Sequence, residues 1–152
     1  MNIYLLLFLL FIVAPIGTII HESGHLIGAK LMRADYMILS IGYGKRLFIF
    51  KWNNIQIKIR SFFFIGGHVR NERDIPYRTS EMIWIIGFGP LLNGVFAVFF
   101  YLLYHLIPSD FLYLLFLFNL WLALINVIPF KMKEKQSDGY MILNLLRKNR
   151  ES

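Results

Sequence analysis

Polar residues are scarce in the first stretch of this chain, and where they occur they are grouped. Eighteen almost wholly apolar residues run from Ile3 to Ile20, meet the cluster His21-Glu22-Ser23-Gly24-His25, and give way again to apolar positions up to Leu31. An apolar run of about 20 residues is what a helix needs to cross a hydrocarbon core of about 30 Å. Two further runs, at about 81–107 and 111–130, have the same character. The stretch between the first and second runs is patterned differently. Leu47 to Trp52 and Ile55 to Arg60 flank Asn53-Asn54, and the second of these segments alternates strictly with period two. Asparagine tolerates the left-handed conformation, so Asn53-Asn54 predicts a hairpin turn. Ser61 to Ile65 is one more largely apolar run, stopped by Gly66-Gly67. The pattern predicts a small sheet of two to four strands over about residues 38–69. Its apolar face is too large for an isolated soluble hairpin, and open strand edges do not face lipid. The sheet is therefore expected in or against the membrane, covered by protein or by a water-filled cavity.

These elements make a membrane protein, mainly α, with three transmembrane helices and a small membrane-associated β-hairpin or sheet between the first and second. The whole chain, 1–152, reads as one domain. After Pro129 comes a polar tail, 131–152, holding Lys131 to Lys135, Ser137-Asp138-Gly139 and a short amphipathic helix from Tyr140 to Leu146.

Composition sharpens this. The hydrophobic fraction is 57%, above the soluble norm. Cysteine is absent, which excludes a thiolate nucleophile, cysteine metal ligands and disulfides. A net charge of +7 would suit nucleic acid, but the placement of the cations argues against it: ten of the 16 Lys and Arg lie between Lys30 and Arg78 and the other six between Lys131 and Arg150. That is the positive-inside pattern of a multi-pass protein of the cell membrane, with the N-terminus outside and the β region and C-terminus cytoplasmic. No nucleic-acid motif interrupts it. The first run lacks a basic n-region and an A-x-A-like site, so it reads as a retained span rather than a cleaved signal peptide.

The polar cluster carries the chemistry. It reads H-E-x-x-H. On a helix, positions i and i+4 share a face, so His21 and His25 can bind one metal ion. Glu22 lies beside the first ligand and can reach a water on the metal, the arrangement of zinc hydrolases. Ionisable groups inside an apolar segment are expensive and mark function. At 1.5 Å per residue the cluster lies about 27 Å from Ile3, inside the membrane but near the cytoplasmic face. Asn93, in the second run beside Gly87, Gly89 and Pro90, is a polar group near the same depth, suited to an interhelical hydrogen bond or to the site itself. Asn119 and Asn126 are the polar residues of the third run. His68 reads as structural and His105 as interfacial, since two histidines and one carboxylate already complete a common zinc set.

The chain resembles the site-2 protease family of intramembrane zinc metalloproteases. The residues that carry the resemblance occur in family order: His21-Glu22-Ser23-Gly24-His25; Ser40-Ile41-Gly42-Tyr43-Gly44 leading to Ile65-Gly66-Gly67-His68-Val69; Gly89-Pro90-Leu91-Leu92-Asn93; and Asn126-Val127-Ile128-Pro129 followed by Asp138-Gly139. The resemblance covers about residues 1–146 and implies a bare catalytic core without a PDZ or CBS domain. It implies Asp138 as third ligand to Zn²⁺, Glu22 as general base, and Asn93 and Asn126 as residues for substrate or oxyanion. The expected activity is zinc-dependent endopeptidase cleavage within or near the transmembrane segment of a peptide or protein substrate, in regulated proteolysis or peptide processing. The alternative is a catalytically silent member that binds a membrane peptide, for example as an immunity protein. A metal transporter is disfavoured because no second set of polar residues lines a path, and a serine mechanism because Ser23 lacks a G-x-S-x-G elbow. The chain departs from the family in two places. His68 stands where Tyr is usual. Eight residues, not about four, separate Pro129 from Asp138, with Ser137 where Leu is usual.

Overall fold

The computed structural model describes residues 3–133 and 135–151, so Glu134 of the lysine-rich segment lies outside the described residues. The first helix, α1, runs continuously over Ile3–Leu31 and contains one π-helical turn at Leu9–Val13. Helix α2 is Thr79–Leu106, α3 is Asp110–Val127 and α4 is Asp138–Glu151. Helices α1, α2 and α3 are long and apolar enough to cross a membrane. Outward-facing residues such as Val98, Leu102 and Leu124 are exposed, as lipid-facing side chains are, because hydrocarbon takes the place of water around them.

Two details shift from expectation. Helix α3 stops at Val127, short of Phe130, because the residue before a proline avoids the helical region, and Ile128 is extended at φ −69°, ψ 124°. Helix α4 outlasts the apolar stripe Tyr140–Leu146 at both ends. It starts at Asp138 and continues through Arg147 to Arg150, where cations suit the negative end of a helix dipole.

The β region consists of two long strands, β1 (Tyr36–Trp52) and β2 (Ile55–Glu72), joined at Asn53-Asn54. Asn53 takes the left-handed conformation, φ +50°, as the turn requires. Both strands bend, β1 at Gly42 and Gly44 and β2 at Gly66, all with positive φ. The bend lets one segment of β1 pair twice. Met37 to Ile41 align against Asn71 to Gly67 in antiparallel register, and again alongside Ile55 to Ile59. Two strands thus fold into four sheet segments, with Tyr36–Ile41 in the interior. Met37, Leu39, Ser40 and Ile41 are buried, whereas Leu47, Phe48, Phe50 and Trp52 in the second half of β1 are exposed.

Helices α1 and α2 touch backbone to backbone. A Cβ added to Gly28 would stand 2.9 Å from the Ile85 Cα, and one on Gly24 would overlap the Phe88 carbonyl. Close approach through small residues is the usual means of packing helices where no hydrophobic drive separates lipid from protein. Val13, Ile20, Phe100 and Leu115 form the core at one end of the bundle, and Ala29, Ala34, Met37 and Ile85 join α1, α2 and the sheet at the other.

Candidate metal centre

Helix geometry places His21 and His25 one above the other, and their neighbours fix which nitrogen faces the site. His21 Nδ1–H donates to Asn93 Oδ1 at 2.7 Å. The orientation of that amide is set in turn: Asn93 Nδ2 donates to the Gly17 carbonyl at 3.1 Å and to Asn119 Oδ1 at 2.9 Å. Asn119 Nδ2 donates to the Leu115 carbonyl at 2.8 Å. His25 Nδ1–H donates to the Ile85 carbonyl at 3.1 Å. Gly89 leaves room for the His25 ring, which a side chain there would displace. With both Nδ1 atoms donating, both Nε2 atoms carry lone pairs in the neutral rings, and these face each other at 3.2 Å.

Asp138 arrives from the other end of the chain. Ser137 sets its position. The Ser137 hydroxyl donates to the Ile128 carbonyl at 2.7 Å and accepts from Phe130 N–H at 3.0 Å and Tyr140 N–H at 3.2 Å. The last of these is an N-cap bond to the third residue of α4. Ser137 N–H also donates to the Phe130 carbonyl at 3.1 Å. The chain between is pinched off as a miniature hairpin, β3 (Lys131–Met132) against β4 (Lys135–Gln136), with Lys131 opposite Gln136. The long Pro129–Asp138 segment is therefore closed at its base, and Gly139 lets α4 begin hard against the Val127 carbonyl.

The result is a compact triad. Asp138 Oδ2 lies 3.1 Å from His21 Nε2, and Asp138 Oδ1 lies 3.6 Å from His25 Nε2. Among the described residues these three make the one cluster able to hold a metal ion. A tetrahedral zinc with ligands at about 2.0–2.2 Å sets neighbouring ligand atoms about 3.3–3.5 Å apart. The Nε2–Nε2 distance of 3.2 Å and the Oδ2–His21 distance of 3.1 Å lie just under that edge, while the 3.6 Å contact of His25 is with the other carboxylate oxygen. Two opposed imidazole lone pairs and a buried carboxylate oxygen without a hydrogen-bond donor, Asp138 Oδ2, form a donor set that a proton can satisfy only pairwise. One divalent cation satisfies all three atoms, so the residues present fit zinc.

Glu22 belongs to no ligand set. It is buried and turned towards the sheet at Gly67. Gly67 makes this approach possible, since an added Cβ would stand 2.9 Å from the Glu22 Cγ. Glu22 also lies within electrostatic reach of His21 and Asp138. His68, next in the strand, is exposed and outside the cluster; partial burial on the sheet and the cations of Arg70, Arg60 and Lys58 push its pKa down. His105 meets Tyr101 edge-on near the end of α2, with centroids 4.6 Å apart. Asn93 is wholly buried, with both ends of its amide engaged. Asn126 donates to the Leu122 carbonyl within α3 and lines a groove that it shares with Asp138. Sequence reasoning assigned no task to Asn119 or Ser137. Their signals were a polar residue in an apolar span and a serine directly before a helical aspartate.

Residues 4–109 match the family model described as Peptidase family M50. A protein of Helicobacter pylori (strain J99) named "Putative zinc metalloprotease" is 29% identical over 99 residues, covering 54% of this chain and 28% of that relative. The chain thus aligns with little more than a quarter of that relative's length. The family match ends before Asp138, so the third ligand stands on the geometry alone. With its H-E-x-x-H helix inside the matched region, the chain belongs to peptidase family M50, the site-2 protease family.

Proposed function

We propose that the protein is a zinc-dependent intramembrane endopeptidase that cuts peptide bonds within or near the membrane-spanning segments of its substrates. The observation that carries this reading is the convergence of His21 Nε2, His25 Nε2 and the Asp138 carboxylate at 3.1–3.6 Å beside a carboxylate outside the ligand set. His21, His25 and Asp138 would hold zinc, which when bound would supply Lewis acidity to a water and to the scissile carbonyl. Glu22 takes a proton from the attacking water and returns it to the leaving nitrogen. Asn93 acts through His21, holding the imidazole with its lone pair towards the site. The charge partition orients the chain with its N-terminus outside and the β region and C-terminus cytoplasmic. The long Pro129–Asp138 spacing closes into the β3–β4 hairpin, and the three residues still come together.

Replacing Glu22 by Gln tests the reading. The variant should keep about one zinc per chain, because Glu22 is not a ligand, and lose at least about 10²–10⁴-fold in cleavage of membrane-spanning peptides in liposomes. Cleavage by Glu22→Gln at the wild-type rate would remove Glu22 from the mechanism. A wild type that binds peptides and cleaves none would favour the silent binding protein.

A further inference from the structure

An apolar groove of about 760 Å³ runs between α2, α3 and α4 and ends at Asp138. Most glycines of the chain are accounted for by a close contact: Gly24 and Gly28 by α2, Gly89 by His25, Gly139 by α3. Gly87 and Gly94 line the groove, and a Cβ added at either meets no atom within 4 Å. They lie seven residues apart, on one face of α2. Glycine in a helix interior is destabilising relative to alanine, and here no neighbour in the fold requires it. Leu91, between them, is 54% exposed. Asp138, 4% exposed and 3.1 Å from His21 Nε2 through its Oδ2, is also among the residues lining the groove. The groove and the metal centre thus share one residue, Asp138, and so lie side by side.

We propose that this groove seats a short apolar segment of a membrane-spanning substrate, to one side of the bond presented to the metal centre, and that Gly87 and Gly94 keep its floor clear for that segment's side chains. The inference rests on the protease reading and adds a subsite to it. Size limits the occupant. A helix about 10 Å across fills roughly 420 Å³ per turn, the same order as the groove's volume of about 760 Å³. The groove holds the few residues beside the cleaved bond rather than a whole span.

Two measurements keep this subsite and the protease reading apart. In the first, a photoreactive benzoylphenylalanine replaces Leu143, on the α4 wall of the groove, in Glu22→Gln protein in phosphatidylcholine liposomes. A synthetic leucine-alanine spanning peptide is the probe. The peptide should crosslink, and adding Gly94→Leu should abolish the crosslink. Crosslinking to lipid alone overturns the subsite, whatever the enzyme cleaves. In the second, kcat/KM is measured for peptides that wild type cleaves. Gly94→Leu should lower it at least about tenfold for peptides with leucine beside the scissile bond and much less for those with glycine or alanine there, with zinc content unchanged. Equal loss for both peptide types, or no loss, overturns the subsite. If the peptide crosslinks but wild type cleaves none, the protease reading fails and the groove stands as a peptide-binding site. Should Gly94→Leu not fold, Gly87→Ala and Gly94→Ala carry the same comparison with a smaller expected shift.

Discussion

The metal centre is built from two halves held in different ways. His21 and His25 sit on one long helix, where the i, i+4 spacing alone stacks them, and α2 fixes their ring orientation through Asn93 and the Ile85 carbonyl. Asp138 sits at the first turn of a separate helix, and its place depends on a knot of bonds around one hydroxyl, that of Ser137. The first half is secured by secondary structure and backbone packing. The second is secured by capping. A site of this design is expected to fail more gradually on the Ser137 side than on the Asn93 side.

That contrast can be broken at three levels. Removing a ligand should have the largest effect and ignore the difference: His21→Ala and Asp138→Asn should both purify with little zinc, by elemental analysis, whereas His68→Ala keeps it. Zinc retained in Asp138→Asn would remove Asp138 from the set. The halves should separate at the level of support. Asn93→Ala frees the His21 imidazole and should weaken zinc binding about 10–100-fold, read by competition with a chelating dye. Ser137→Ala removes one cap worth about 1 kcal/mol, about fivefold if all of it falls on zinc affinity. Equal losses would mean that the two supports are equivalent. The smallest effect is expected from shortening the hairpin by deleting Met132 and Lys135, which are paired with each other and exposed. With the base closed by Ser137, stability should stay within about 0.5 kcal/mol and zinc affinity should be unchanged.

The two halves also differ in how legible they were. Helical spacing is a local rule, so H-E-x-x-H in an apolar run announces both histidines and the glutamate. Lipid requires long apolar runs, which made the three spans plain. The sheet was visible as alternation and an Asn-Asn turn, but not the bends at Gly42, Gly44 and Gly66 that give Met37–Ile41 two partners, because a positive φ is not written in the hydrophobic pattern. Asp138 was reachable only through resemblance. Its approach to His21 depends on where a loop closes, and the residue that closes it, Ser137, looked like a departure from the family. Asn93 was noticed for its depth, but whether its amide faces substrate or His21 depends on side-chain rotamers set by Gly17 and Asn119.

The order of the ligands along the chain has a consequence for biogenesis. His21 and His25 leave the ribosome early, and Asp138 follows about 113 residues later. At a synthesis rate of about 5–20 residues per second that interval lasts roughly 6–23 s. Throughout it the nascent chain carries His21 and His25 but neither Asp138 nor the helix that Asp138 begins. The cluster therefore stays incomplete until synthesis has passed Asp138 and α4 has docked against α2 and α3.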